Sequence, residues 1–180
     1  MKRVKLWDKE FEISYPAHEI RKSIEQLGNA INRDLANEEK PIFISILNGS
    51  FIFTADFIRL INFPCEVSFI KLASYQGTQT TGKVEQLIGL TENIEGRTVI
   101  ILEDIVDTGI TLGKLIDRLQ PYKPKAIKVA TLLFKPDAYK GSVAIDYIGK
   151  AIPNDFIVGY GLDYDGLGRN LPDIYTLVKH

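Results

Sequence analysis

The sequence predicts an α/β fold, and two observations carry the prediction. Short runs rich in β-branched residues, Ile42 to Leu47, Val99 to Leu102 and Ala126 to Phe134, are largely apolar along their length. Strands buried on both faces have this pattern. Interleaved with them are segments whose apolar residues recur at helical spacing: Ile20, Ile24, Leu27 and Ile31, then Phe53, Phe57, Ile58 and Ile61, then Leu112, Leu115, Ile116 and Leu119. The 180 residues suffice for one domain with a real core, and no linker or internal repeat divides them.

Residues 1 to 17 read as an arm with Val4, Leu6, Trp7 and Phe11 as its apolar contacts, ended by Pro16. Ser14 or His18 precedes a helix from about Ala17 to Leu35; neither His18 nor His180 is assigned to catalysis. A polar connection, Asn37 to Lys40, and Pro41 lead into the strand Ile42–Leu47. Asn48-Gly49-Ser50 then turns into the second helix. Glu66 to Leu72 alternates as a strand does. Ala73 to Lys83 is polar and free of large aliphatics, so it cannot pack a core. It is either an idle surface loop or a lid with Ser74 and Tyr75 at its hinge side. Leu87 to Leu90 reads as a short return strand, and Asn93 to Arg97 as a turn.

The stretch Val99 to Leu112 carries the chemistry. Its apolar run ends in Glu103 and Asp104, followed by Asp107-Thr108-Gly109-Ile110-Thr111 and then a helical pattern. N–H groups at a helix N-terminus lack intrahelical partners, and the macrodipole makes that end positive. The hydroxyls of Thr108 and Thr111 add donors, and Gly109 permits close backbone approach. Together they suit a phosphate. Glu103 and Asp104 suit ribose hydroxyls or Mg²⁺. The string is neither a Walker A loop nor a dinucleotide fingerprint. The next strand, Ala126–Phe134, ends at Lys135, a donor on the same sheet edge as the acids. Tyr147 to Gly149 is a short strand. Gly159 and Gly161 in an apolar stretch predict close backbone approach. Ile174 to Val178 closes the chain as a strand.

The string from Glu103 to Thr111 resembles the signature of type I phosphoribosyltransferases, which bind 5-phosphoribosyl-1-pyrophosphate. The resemblance extends from about Phe43 to Arg169 and follows the motif order of the enzymes that act on hypoxanthine and guanine. It implies a mostly parallel central sheet flanked by helices, with a small C-terminal hood: a core of about 17–145 and a hood of about 1–16 and 146–180. It implies that Glu103 and Asp104 bind the ribose hydroxyls and that Asp107 to Thr111, Ile110 included, cradle the 5′-phosphate. Asn48 and Gly49, after a cis Leu47–Asn48 peptide, and Arg169 would contact pyrophosphate. Ser74 and Tyr75 would belong to a lid. Lys135 would contact the purine 6-oxo group, Phe156 would stack on the base, and backbone groups at Ile157 would read its edge. Asp163 would carry a second Mg²⁺ beside the Glu103–Asp104 site. Asp107 is the candidate general base, taking the proton from purine N7; as a residue alone, it is equally a favoured helix N-cap. Asn48 and Ile110 stand where many members have lysine, so backbone contacts must suffice at Ile110. A homodimer or homotetramer is implied.

Composition narrows the alternatives. The net charge is −1 with no long basic run, which argues against non-specific nucleic-acid binding. The single cysteine, Cys65, excludes an internal disulfide and fits a reducing, cytoplasmic setting. No apolar run has signal-peptide or membrane-spanning length. Two rivals stand beside the main reading: the same fold acting on xanthine or another base, and a non-catalytic RNA-binding regulator of this fold.

Overall fold

The computed structural model describes residues 3–74 and 84–179. Within them a first hairpin, β1 (Arg3–Leu6) and β2 (Lys9–Tyr15), precedes α1 (Ala17–Asp34), β3 (Ile42–Leu47) and α2 (Phe51–Ile58). The chain continues through β4 (Glu66–Ser74), β5 (Val84–Ile88), β6 (Thr98–Val106) and α3 (Ile110–Leu119). A 3₁₀ turn (Gln120–Tyr122), β7 (Ala126–Phe134), β8 (Tyr147–Ala151), β9 (Ile157–Val158) and β10 (Ile174–Leu177) complete it. The main sheet has the order β5-β4-β3-β6-β7-β8, parallel except for β5. A separate antiparallel sheet, β1-β2-β10-β9, joins the two ends of the chain into a hood. The α/β expectation, with a mostly parallel sheet and a hood, is met.

The strand period of two builds a core on each face of the main sheet. Phe43, Ile100 and Leu102 pack with Ile20, Ile24, Leu27 and Ile31 of α1 and Phe53 and Phe57 of α2. Their strand neighbours Ile42, Ile44, Val99 and Ile101 pack with Leu112, Leu115 and Leu119 of α3. Apolar residues without alternation are thus what a sheet covered on both faces requires.

Several element boundaries differ from the sequence reading. β6 does not stop at Leu102 but runs through the acidic pair to Val106, because β7 continues to pair with it as far as Val106↔Phe134. The return strand is Val84–Ile88 rather than Leu87–Leu90, and β4 extends to Ser74 because backbone pairing with β5 holds it there. Ser74 therefore ends a strand; the rest of the lid segment, Tyr75 included, lies outside the described residues. α1 is preceded by Pro16, not by a Ser14 or His18 cap, and the Ala17 N–H donates to Asp173 Oδ1 at 2.8 Å. β8 pairs with β7, so the main sheet reaches Ala151. No described helix is long and apolar enough to cross a membrane.

Candidate active site

The strand order places a crevice. β3 is followed by β4 on one side, whereas β6 lies on the other, so the winding reverses between β3 and β6; ligands of open α/β sheets bind outside the carboxyl ends of strands at such a point. β3 pairs with β6 only from Ile42↔Val99 to Ser45↔Leu102, while it stays paired with β4 up to Leu47↔Lys71. Beyond Leu102 the two strands part, with Glu103 and Asp104 continuing β6 on one side and Asn48 and Gly49 following β3 on the other.

The turn after β3 is set by its own hydroxyls. Buried Ser45 hydrogen-bonds with Ser50 and Thr54, both at 2.7 Å, and the Ser50 hydroxyl donates to the Ile46 carbonyl at 2.5 Å. The network satisfies buried polar groups that would otherwise be costly. The Leu47–Asn48 peptide is cis. A methyl group on Gly49 would sit 1.8 Å from Asp104 Oδ2, and one on Gly161 would sit 2.1 Å from the Gly49 carbonyl. Asp104, the Gly49 backbone and the Gly161 backbone of the hood thus stack in direct contact. The close approach expected at Gly159 and Gly161 is present at both, with φ of +99° and +98°.

Strand alternation splits the acidic pair. Glu103 lines a hollow of about 110 Å³ with Ile105, Val106, Asp107, Thr108, Gly109, Thr111 and Leu112. Part of Glu103 is exposed, yet its Oε2 is closed off from solvent and has no hydrogen-bond partner. Burial, then the neighbouring Asp104 charge, raises its carboxyl well above the usual range. Asp104 faces Gly49 instead. Burial is the main cause that lifts it to about 6; backbone N–H groups and Arg169 pull it down, and Asp163 pushes it up. Glu103, Asp104 and Asp163 do not form one metal-binding group, and no such group occurs among the described residues.

The hollow opens on the start of α3. Gly109 is the N-cap, with φ of +78°, so Asp107 does not cap this helix. Its carboxylate instead meets buried Lys135, whose Nζ lies 3.1 Å from Oδ2. Lys135 is therefore not a solvated strand-end lysine. Thr108 is exposed, and Ile110 is 58% exposed. A larger cavity, about 700 Å³, lies between α1, α2 and the turn carrying Tyr160 and Leu171. It holds none of the predicted residues. The small hollow has the start of α3, where the Ile110 N–H donates to the Thr108 hydroxyl at 3.5 Å, and the orphaned Glu103 carboxylate oxygen.

The hood supplies the other candidates. Arg169 donates to the Gly161 carbonyl at 2.6 Å and pairs with Asp163 at 2.6 Å, while Asp163 also accepts from the Gly166 N–H at 2.8 Å. Phe156 is half-exposed; its ring lies 5.8 Å from Tyr164 and 6.1 Å from Phe11, with Lys9 Nζ 5.9 Å from its centroid. Ile157 starts β9 and packs in one cluster with Leu133 and Ile105, linking the hood to β7 and β6, the strands that lead into Lys135 and Asp107. Buried Tyr160 donates to Asp56 of α2 at 2.5 Å, tying the hood turn to the helix behind Gly49. Ser45, Thr54, Tyr160 and Asp56 were not singled out from sequence. Only Ser45 left a trace there, as the one hydroxyl in an apolar strand.

Crevice, acidic pair and glycine-opened helix N-terminus define a protein shaped to hold a phosphorylated sugar. The phosphoribosyl transferase domain family model matches residues 14–165. A hypoxanthine-guanine phosphoribosyltransferase of Mycobacterium avium is 43% identical over 167 residues, covering 89% of this chain and 82% of the relative. One of Staphylococcus aureus is 39% identical over 168 residues, covering 92% and 93%. The crystal structure of a Bacillus anthracis hypoxanthine-guanine phosphoribosyltransferase, with HEPES in its active site, superposes with a TM-score of 0.86 at 40% identity, over 93% of this chain and 97% of that one. The chain belongs to the phosphoribosyltransferase family.

Proposed function

We infer that the protein transfers the phosphoribosyl group of 5-phosphoribosyl-1-pyrophosphate to hypoxanthine or guanine, giving the nucleoside monophosphate and pyrophosphate, a purine-salvage reaction. The observation that carries this reading is the Lys135–Asp107 pair, 3.1 Å apart beside the α3 N-terminus. A 6-oxopurine presents an acceptor, O6, next to an N7–H donor. It can replace the pair group for group: Lys135 donates to O6, and Asp107 takes the N7 proton as the base nitrogen bonds to ribose C1. Adenine carries a donor amine at position 6 and would face the lysine with the wrong polarity.

In this reading the N–H groups and hydroxyls from Asp107 to Thr111 hold the 5′-phosphate, and Glu103 and Asp104 hold the ribose hydroxyls. The orphaned Glu103 oxygen fits a hydroxyl donor. Asn48, Gly49 and Arg169 bind pyrophosphate, the bidentate guanidinium matching its oxygens. Phe156 stacks on the base, and the backbone at Ile157 reads its edge. The hard oxygens of Asp104 and Asp163 suit Mg²⁺, which is held by one or two carboxylates together with substrate oxygens, so a three-carboxylate cage is not required. When bound, the cation offsets charge on the departing pyrophosphate. A cytoplasmic setting is supported by the single cysteine. Self-association as a homodimer or homotetramer is supported by Val67 and Phe69, both over a third exposed on β4.

The test is product analysis with phosphoribosyl pyrophosphate and hypoxanthine, guanine, xanthine or adenine, with and without Mg²⁺. Monophosphate and pyrophosphate from hypoxanthine or guanine, only with Mg²⁺, is the expected result. Turnover of xanthine or adenine alone would contradict the base assignment, and no turnover of any base would overturn the reading.

A further inference from the structure

The segment after β7 touches four consecutive residues, the last of β6 and the first three of the turn after it, Val106 to Gly109. The Lys135 N–H donates to the Val106 carbonyl at 3.0 Å, and Lys135 Nζ pairs with Asp107. The Lys140 N–H donates to the Thr108 carbonyl at 3.1 Å. A methyl group on Gly109 would lie 2.3 Å from Tyr139 Cε2, so the tyrosine ring abuts the glycine backbone. Tyr139 is itself fixed. Its hydroxyl donates to the Val143 carbonyl at 2.5 Å, its ring meets Phe134 edge-on with centroids 5.4 Å apart, and it packs on the cluster containing Leu112 and Leu115.

The turn needs such support. Gly109 has no side chain to pack, and Thr108 and Ile110 on either side of it are exposed. Among the described residues no cationic side chain lines the hollow under α3, so a phosphate there depends on the aim of backbone N–H groups and of the Thr108 and Thr111 hydroxyls. We propose that Tyr139 is a positioning residue for phosphoribosyl pyrophosphate, its ring holding the Asp107–Thr111 turn so that the first N–H groups of α3 converge on the 5′-phosphate. The proposal rests on the function inferred above for the same site.

The experiment compares Tyr139→Phe, which keeps the ring, with Tyr139→Ala and Tyr139→Leu, which remove it, by steady-state kinetics in both substrates. Loss of the ring raises KM for phosphoribosyl pyrophosphate about 10-fold and leaves KM for the base within about 2-fold, since small misplacements of a binding group weaken the ligand it holds. Tyr139→Phe keeps both constants near wild type. Equal changes in both KM values, or none in the ring-less variants, would overturn the proposal. So would a case where neither ring-less variant folds while Tyr139→Phe behaves as wild type, because the ring is then a core residue. If the wild type turns over no base, calorimetric binding of ribose 5-phosphate decides separately. Weaker binding to Tyr139→Leu than to wild type supports the positioning role; equal binding, or no binding to wild type, overturns it.

Discussion

Asp107, Phe156 and Asp104 each answer a different substitution. Asp107→Asn keeps the shape of the Lys135 contact and removes the proton acceptor; kcat should fall by about 10²–10⁴-fold with little change in KM for phosphoribosyl pyrophosphate. Unchanged turnover would remove Asp107 from the mechanism. Phe156→Ala takes away the stacking face and should raise KM for the base by about 1–3 kcal/mol of lost binding, on the scale of base–aromatic stacking. Initial rates at varied base concentration measure this. Asp104 gives a pH signature. Burial raises its folded pKa to about 6 from 3.8, so the folded protein holds the proton more tightly than the unfolded chain does. The stability from that proton is full below about pH 4 and is lost as pH rises through about 6, after which the ionised carboxylate is a cost on the order of 2–3 kcal/mol. Asp104→Asn should therefore unfold at a higher temperature than wild type at pH 8, with the gap closing toward pH 4. Calorimetric melts across that range measure it, and a gap independent of pH would contradict the assignment.

Elements meet at the site through glycine. Gly161→Ala would place a methyl group 2.1 Å from the Gly49 carbonyl at a φ of +98°, and backbone cannot yield there as a flexible side chain does. The hood should loosen from β3, with a stability loss of about 1–3 kcal/mol by denaturant titration and a larger fall in activity than in stability. Much of this level was legible in the sequence. Helical periods located α1, α2 and α3, and the apolar runs located β3, β6 and β7, because covered strands show their burial in composition. Gly159 and Gly161 were legible because glycine in an apolar run has few other uses. The ends of β4 and β6 were not. Backbone pairing carried β6 through two carboxylates and β4 into Ser74, and pairing is blind to side-chain polarity. Tyr139 against Gly109 and Tyr160 on Asp56 were also hidden, since their partners lie far along the chain and no local pattern marks them.

For the whole molecule, the reversal of winding between β3 and β6 governs the rest. It opens a crevice, and the hood, which joins the first strands of the chain to the last ones, brings Gly161 against Gly49, and Gly49 against Asp104, beside the hollow that Glu103 lines. The direct test is a crystal structure with inosine or guanosine monophosphate. The 5′-phosphate is expected against the N–H groups of Thr108 to Thr111, with the ribose over Glu103 and the base between Phe156 and Lys135. A nucleotide seated instead in the cavity between α1 and α2, or a phosphate turned away from α3, would contradict the account.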